Sequence, residues 1–440
     1  MKKCAFFLIL LLCAVQILPL SVIAAGQDGL HCTKTLAGNE EYTGTAQAAV
    51  LYEMNTQTLV YAHQPDQRLN PTGIIKVLTV LIALEEGNMD DVVEAKRSTL
   101  DSVGVGVVSA RLQAGEKMTL GDLIRCIMVS SANDACAVVA EHIAGTQQAF
   151  VDKMNARAAT LGCANSYFTN VHGLKDEKQY STARDLAIIT QEALCNQEFT
   201  ELFGLTSYQV NATNKSQARS LTTTNYLMNP QSPYYDARVT GGKPAAATTK
   251  DRSLVCVAEM GESRYLCVVL SAQAKMSGSA VSSYTNFREG SKLLDKGFEG
   301  YAPQQVLGVG QSLGLYSVAG GENQVAAGAM EELFALLPVG FDEEKLRFDQ
   351  RIDSLSAPVR EGQTIGSLTV SYNGVELGST DLVAHHDVRT AGSVIQDTPR
   401  KVEKDGVSFG AIALCICAVV AGAGTFVILK SKGKKKGGKR

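Results

Sequence analysis

Four polar side chains of this sequence have types and a spacing that suit acyl transfer: Lys76, Ser131, Asn133 and Lys243. A lysine at the start of a helix can take the proton of a serine that lies one turn before it, in the pattern S-x-x-K. Here the residue three positions before Lys76 is Gly73, which has no side chain and cannot attack a carbonyl carbon. The pattern therefore predicts a catalytic helix start whose nucleophile is missing.

Two other hydroxyl groups could replace the missing nucleophile. Thr72 directly precedes Gly73. One residue is a rotation of about 100° around a helix, so its hydroxyl would need a shift in register to reach the same point. Ser131 could be deprotonated by Lys76 if the two side chains meet. Both alternatives remain open at this stage.

The predicted elements place these residues in an α+β domain. Alternating and apolar runs predict strands at 46–53, 58–62, 254–258 and 265–271, and helical periodicity predicts helices at 74–86, 120–143, 147–161, 182–196 and 287–298. The sequence Ser130-Ser-Ala-Asn133 interrupts the second helix. Strands, then helices, then strands again indicate an antiparallel sheet with a helical insert.

The region from about residue 302 has a different character, because it is mostly β. Asn373-Gly374 stands between two strand-like runs, 365–370 and 375–377. This dipeptide is a strong hairpin signal. We expect a small all-β domain at 301–390, after a first domain at 40–300, with a polar linker at 391–408.

Both ends of the chain predict export and anchoring. Residues 1–25 have a basic start, an apolar run and a small-residue end, which is typical of a signal peptide. Residues 409–429 carry no charge and are long enough to span a bilayer as a helix. The tail 430–440 contains seven basic residues, which predicts a cytoplasmic C-terminus and a single-pass protein with its body outside the cell membrane.

Charge and cysteine content exclude several classes of function. The two ends hold nine of the 41 basic residues and no acidic ones, so residues 26–408 have 32 basic and 44 acidic residues, a net charge of −12. This balance argues against nucleic acid or another polyanion as the main partner. Seven cysteines lie in that region without a C-x-x-C pair, mostly in apolar runs, and we interpret them as small core residues. No metal-ligand spacing is present, and no cofactor is expected.

The order of the motifs resembles one family. Ser131-Ala-Asn133 is similar to the S-x-N motif, and Lys243 stands where K-T-G should precede a hairpin, although Pro244 and Ala245 replace the threonine and glycine. The chain resembles the D-alanyl-D-alanine carboxypeptidases, the low-molecular-mass penicillin-binding proteins of the serine type. Further stretches that carry the likeness are 68–79, 129–145, 170–174, 180–185, 357–362 and 382–384.

The resemblance implies a penicillin-binding-protein/β-lactamase-like domain followed by a small all-β domain and one C-terminal transmembrane helix. It also implies action on the D-Ala-D-Ala end of peptidoglycan stem peptides. In that family pattern Gly73 holds the place of the nucleophile, Lys76 that of the general base and Ser131 and Asn133 those of the proton relay and substrate contact. Lys243 would hold the substrate carboxylate.

These departures predict a protein that is inactive by the family mechanism and still binds cell-wall peptide. Loss of the nucleophile lowers the turnover of a serine hydrolase about a millionfold. Pro244 removes a backbone donor from the strand that would pair with a peptide. Two alternatives remain: an active hydrolase that uses the hydroxyl of Thr72 or Ser131, and a structural envelope protein with a vestigial cleft.

Overall fold

The computed structural model describes residues 34–36 and 42–392. The strands are β1 Lys34–Thr35, β2 Ala48–Glu53, β3 Thr58–His63, β4 Val92–Ala95, β5 Glu116–Thr119, β6 Ser207–Val210, β7 Arg219–Thr222, β8 Val239–Ala246, β9 Asp251–Met260, β10 Ser263–Gln273, β11 Lys275–Ser277, β12 Ala280–Ser283, β13 Tyr301–Leu307, β14 Ser312–Tyr316, β15 Val325–Ala329, β16 Leu333–Pro338, β17 Leu346–Ile352, β18 Thr364–Tyr372 and β19 Val375–Ala384. The helices are α1 Lys76–Glu86, α2 Arg97–Ser102, α3 Leu120–Ser130, α4 Asn133–Ala144, α5 Gln147–Thr160, α6 Ala183–Leu194, α7 Gln197–Phe203 and α8 Thr285–Gly300.

A six-stranded sheet in the order β1-β3-β2-β10-β9-β8 forms the centre of the first domain. Its pairs are antiparallel except for β1 and β3. Side chains alternate between the two faces of a strand. On β9, Val255 and Val257 therefore pack into the core shared with α1, α3, α4 and α6, whereas Leu254 and Cys256 pack into the core shared with α8. The sheet is buried on both faces, which explains its nearly continuous apolar strands.

The helical insert lies between β3 and β8, as the sequence predicted. The break at 130–133 is also confirmed, because α3 ends at Ser130 and α4 begins at Asn133. Ser131 caps α3 with a φ of 61°, a left-handed conformation that turns the chain between the two helices. Thr182 caps α6 by accepting a hydrogen bond from the backbone amide of Asp185.

The second domain is all β. Strands β14-β15-β19-β18-β17 form one sheet, and β13 pairs with β16. The predicted hairpin is confirmed: Asn373 and Gly374 have φ values of 51° and 78° and connect β18 to β19. The residue after the first strand contacts both domains: the Leu36 amide donates to Leu59 O at 3.0 Å, and the Leu36 side chain packs against the core of the second domain.

Among the described cysteines, five are buried and fit the interpretation as small core residues: Cys126, Cys136, Cys163, Cys256 and Cys267. Cys195 is exposed, so the interpretation is wrong for this residue, which lies just after the last turn of α6.

The predicted signal peptide, the transmembrane segment 409–429, the basic tail and all but the first two residues of the linker lie outside the described residues. Within residues 34–36 and 42–392, no helix is long and apolar enough to cross a membrane.

Candidate active cleft

A cleft of about 560 Å³ opens where the start of α1, the α3–α4 junction and strand β8 come together. Four of the five predicted site residues line it: Gly73, Lys76, Ser131 and Asn133. They form two sequence-local pairs, 73/76 and 131/133, and the fold of the helical insert brings the two pairs to one place. The fifth residue, Lys243, is not among the lining residues.

Gly73 lies at the point of the cleft where a nucleophile would be needed. It belongs to a short 3₁₀ turn, Thr72–Ile75, that leads directly into α1. A Cβ atom placed on Gly73 would lie 3.1 Å from Lys76 Nζ, 3.8 Å from Ser131 Oγ and 3.5 Å from Ala245 Cβ. A side chain at position 73 would therefore point at the predicted base, and the glycine leaves this point empty.

Lys76 is well placed to act as a base. Its side chain is buried, and its Nζ donates a hydrogen bond to the backbone oxygen of His172 at 2.6 Å. Burial lowers the pKa of Lys76, because a charged ammonium is poorly solvated there. Burial, followed by the charge of Lys76, lowers the pKa of His172 to about 4, so this imidazole is neutral at pH 7. Its Nδ1 accepts a hydrogen bond from the Leu174 amide at 3.2 Å.

Asn133 offers an unused acceptor to the cleft. Its backbone amide donates to Val108 O at 2.9 Å, which fixes the start of α4. Its side-chain Oδ1 is buried and has no hydrogen-bond partner among the described residues. A buried acceptor without a partner is unfavourable unless a ligand or water satisfies it.

The two alternative nucleophiles differ in position. Ser131 lines the cleft, whereas Thr72 does not. Thr72 has a φ of 53°, and its Oγ1 is buried with no hydrogen-bond partner among the described residues. Gly173 packs against it so closely that a Cβ on Gly173 would lie 2.0 Å from Thr72 O. Ser131, which lines the cleft, is therefore the better placed hydroxyl of the two.

Lys243 is a buried cation. It lies on β8 with an exposed fraction of 0%, and its Nζ has no hydrogen-bond partner within the described part of the chain. The face of β8 that carries Lys243 packs against the turn before α1 and against α7, and this packing covers the side chain. Burial, followed by the charge of Lys76, lowers the pKa of Lys243 to about 7. Its role toward a ligand carboxylate stays a prediction.

Replacing Lys243 with methionine should stabilise the protein at neutral and mildly acidic pH. The pKa of Lys243 is lower in the folded state than its usual 10.5, so folding is disfavoured while the unfolded chain binds the extra proton. The unfolding free energy of the wild type should therefore rise as the pH increases from about 7 to 10.5. Urea unfolding should show Lys243→Met more stable at pH 6, by an amount on the order of a few kcal/mol, since one pKa unit corresponds to about 1.4 kcal/mol.

The matched control for this measurement is Lys178→Met, which replaces an exposed lysine. Its unfolding free energy should follow the wild-type pH dependence. If Lys243→Met is less stable than the wild type at pH 6, the buried cation is compensated and the interpretation is wrong.

The sequence did not single out Arg252, which lines the cleft. Its guanidinium lies 4.5 Å from the centroid of the Tyr284 ring, and its Nε donates to Thr249 O at 3.1 Å. The hairpin register pairs Arg252 with Ala246, just past the predicted motif at Lys243. Arg252 could have been assigned to the cleft only from this strand register. The sequence alone shows an arginine before an apolar run.

Comparison with known proteins shows the family of this chain. The family model described as D-alanyl-D-alanine carboxypeptidase matches residues 35–274, and that of the penicillin-binding protein 5 C-terminal domain matches 301–390. D-alanyl-D-alanine carboxypeptidase DacF of Bacillus subtilis is 29% identical, over 84% of this chain and 91% of its own length. The DacA enzyme of Haemophilus influenzae is 30% identical over 79% of this chain and 86% of its own length.

The solved structure of penicillin-binding protein 5 from Haemophilus influenzae is similar to this one with a TM-score of 0.61 and 28% identity, covering 80% of this chain and all of that one. The fold and the cleft are thus those of a low-molecular-mass penicillin-binding protein. The chain belongs to the D-alanyl-D-alanine carboxypeptidase family, which acts on peptidoglycan. The family and the two-domain fold predicted from the motifs are confirmed.

Proposed function

We propose that this protein binds the D-Ala-D-Ala end of peptidoglycan stem peptides without forming the acyl-enzyme of its family. In this proposal it is a binding or regulatory protein of the envelope, anchored by its C-terminal segment with residues 26–408 outside the cell. The observation that carries the proposal is the position of Gly73, whose missing side chain would point at Lys76 Nζ from 3.1 Å.

The cleft keeps features that bind a ligand after the covalent step is lost. Its volume of about 560 Å³ lies within the range of small-molecule sites. Lys76, Ser131 and Asn133 still converge on it, and Asn133 Oδ1 has an acceptor to offer. Loss of the nucleophile alone accounts for about a millionfold in turnover, while binding does not depend on it.

Two cations are candidates to hold the terminal carboxylate of the peptide. The family pattern assigns this role to Lys243, which must rearrange to reach the ligand because its side chain is fully buried. Arg252 already lines the cleft, and its stacking on Tyr284 holds the guanidinium in place. Comparing the peptide affinities of Arg252→Ala and Lys243→Ala shows which cation holds the carboxylate.

Titrating the purified protein with a stem pentapeptide should give binding in the millimolar to sub-millimolar range. A carboxylate held by one solvent-accessible cation contributes on the order of 1 kcal/mol, or about fivefold in Kd. We expect Arg252→Ala or Lys243→Ala to lose this factor, and the peptide amidated at its C-terminus to lose the same factor with the wild type. Calorimetry or fluorescence would measure it.

The exposed Lys117, outside the cleft, provides the matched control Lys117→Ala, which should bind as the wild type does. If neither the peptide nor its amide binds at millimolar concentration, the cleft is vestigial and the structural alternative replaces the proposal.

A second candidate function is hydrolysis by Ser131. It is favoured by one observation, the position of Ser131 Oγ, 3.8 Å from where a Cβ of residue 73 would lie. An acyl adduct on Ser131 in the unmodified protein would establish this candidate in place of the first.

A further inference from the structure

A second cavity, of about 650 Å³, runs beside α8. Three of the four cations that line it, two of its four tyrosines and one acid define what we call the α8 groove: Lys275, Arg288, Lys292, Tyr234, Tyr235 and Glu289. We infer that the α8 groove binds an acidic glycan, a chain of sugar rings that carries carboxylate or phosphate groups. This site is separate from the cleft and does not depend on the function proposed for it.

The positive charge of the groove is concentrated on one face of α8. Arg288 and Lys292 are four residues apart, so their side chains lie on the same side of the helix, separated by about 6 Å along its axis. Lys275, on β11, lines the same groove. All three are exposed, and none has a carboxylate within 4.0 Å in the part of the chain that the structure describes.

This cluster stands out against the charge of the rest of the molecule. Residues 26–408 carry a net charge of −12, which argues against a general polyanion-binding protein. Like charges four residues apart on a helix repel each other and destabilise it slightly. An anion in the groove would relieve this repulsion. Because the rest of residues 26–408 is acidic on balance, the groove is a local cationic site and not part of a larger basic surface.

Among the described residues that line the groove there is one acid, Glu289, and it does not pair with these cations. Glu289 is buried, and its carboxylate accepts hydrogen bonds from the Thr45 amide at 2.7 Å, the Thr45 hydroxyl at 2.8 Å and the Ala46 amide at 3.1 Å. The Tyr42 hydroxyl donates to the same carboxylate. These donors hold the carboxylate of Glu289 toward Tyr42, Thr45 and Ala46, and it makes no ion pair with the three cations, whose ammonium and guanidinium groups can still contact an external anion.

The aromatic rings of the groove suggest a sugar rather than a bare anion. Tyr235 is 46% exposed, and the Arg288 guanidinium lies 5.6 Å from the centroid of the Tyr234 ring. Tyrosine offers an apolar face together with a polar hydroxyl, which suits partners that are apolar on one side and hydrated on the other. The faces of a sugar ring have C–H groups, and its substituents are polar, so rings beside cations match an acidic saccharide.

The groove and the active cleft meet at one residue. Phe287 lines both cavities, and it belongs to an aromatic cluster with Tyr226, Tyr234 and Tyr284. A wall polymer that lies in the groove would therefore pass close to the mouth of the cleft. The volume of the groove is within the range of a ligand site for a few sugar units.

Binding of defined polymers to the purified protein tests this inference. The probes are peptidoglycan glycan strands freed of their stem peptides, a glycan phosphodiester polymer and a neutral N-acetylglucosamine oligomer of similar length. We expect at least one acidic polymer to bind at least tenfold more tightly than the neutral oligomer, with an affinity that falls as salt increases because exposed charges are screened. The two acidic probes distinguish carboxylate from phosphate.

Two variants with the same number of charge changes make the test specific. The triple variant Lys275→Gln, Arg288→Gln, Lys292→Gln should weaken binding at least tenfold, whereas Lys117→Gln, Lys178→Gln, Lys345→Gln, at exposed lysines outside both cavities, should not. Tyr235→Ala should weaken the binding of the acidic glycan to the protein. The affinity of this variant for inorganic phosphate should equal that of the wild type.

Equal binding by both triple variants would overturn the inference, and so would equal binding of the neutral oligomer. Binding of anionic phospholipid vesicles without binding of either acidic polymer would also overturn it, in favour of a membrane surface. The free stem peptide, which contains no sugar, should bind the groove variant as it binds the wild type. Glycan binding at the α8 groove and peptide binding at the cleft are thus tested independently of each other.

Discussion

Gly73→Ser is expected to give a protein that penicillin labels covalently, whereas the wild type forms no adduct. The backbone of Gly73 is not in the left-handed region, so a side chain is compatible with it. The new Cβ would lie 3.1 Å from Lys76 Nζ, the mobile end of a long side chain, and at an ordinary 3.5 Å from Ala245 Cβ. The serine oxygen would then have its base within reach, the arrangement that a nucleophilic serine requires.

Fluorescent penicillin followed by mass mapping of the adduct measures this effect. Gly73→Ala, which adds the same Cβ without the hydroxyl, should remain unlabelled, and Gly73→Ser combined with Lys76→Met should lose most of the labelling. Removing the nucleophile of a serine enzyme lowers its turnover on the order of a millionfold. If Gly73→Ser restores even a small part of this factor, the labelling is measurable. An adduct on Thr72 or Ser131 in the wild type would contradict the proposal.

Labelling of Gly73→Ser should be slower than in a complete member of the family. Pro244 and Ala245 line the cleft in place of the threonine and glycine of the family pattern. Adding Pro244→Thr and Ala245→Gly should increase the labelling rate, because the first substitution restores a backbone donor and the second makes room beside position 73. If the single and triple variants both stay unlabelled while folded, the cleft has lost more than its nucleophile.

Gly173→Ala should be one of the most destabilising single substitutions in the first domain. Gly173 has a φ of 82°, and an added Cβ would lie 2.0 Å from Thr72 O and 2.7 Å from Gly73 N, both of them backbone atoms. A left-handed conformation costs an ordinary residue about 1–2 kcal/mol, and overpacking costs about 1–3 kcal/mol more. Urea unfolding should show a loss of about 2–5 kcal/mol, because the backbone before α1 must move.

Gly162→Ala separates backbone strain from the steric clash. Gly162 has a similar φ of 76°, and no atom lies within 4 Å of its added Cβ. This control should lose only about 1–2 kcal/mol. Equal losses in the two variants would show that the contact between Gly173 and Thr72 is not a tight constraint on the cleft.

The parts of the fold with local signals were predictable from the sequence. The break between α3 and α4 was visible in Ser130-Ser-Ala-Asn133, and the hairpin of the second domain was visible in Asn373-Gly374. Gly73 and Lys76 could be placed in one site because three residues span nearly one turn of a helix. These predictions needed only local periodicity and turn chemistry.

The environment of Lys243 and Arg252 depends on strand pairing, which the sequence does not display. A lysine before proline is typical of a solvated loop, yet this residue lies on β8, which pairs with β9, and the face that carries Lys243 packs against the turn before α1 and is buried. The same pairing brings Arg252 to the cleft beside Tyr284, which lies 32 positions later in the chain. Burial and long-range neighbours are set by tertiary packing, so residue type alone could not give them.

The first strand links the stability of the two domains. β1 extends the central sheet by pairing with β3, while Leu36, the next residue, contributes an apolar side chain to the core of the β domain. If either domain unfolds, it releases this strand and removes a stabilising contact from the other. The two domains are therefore expected to behave as one cooperative unit, so a weakening mutation far out in the β domain would reduce the population in which the cleft is intact.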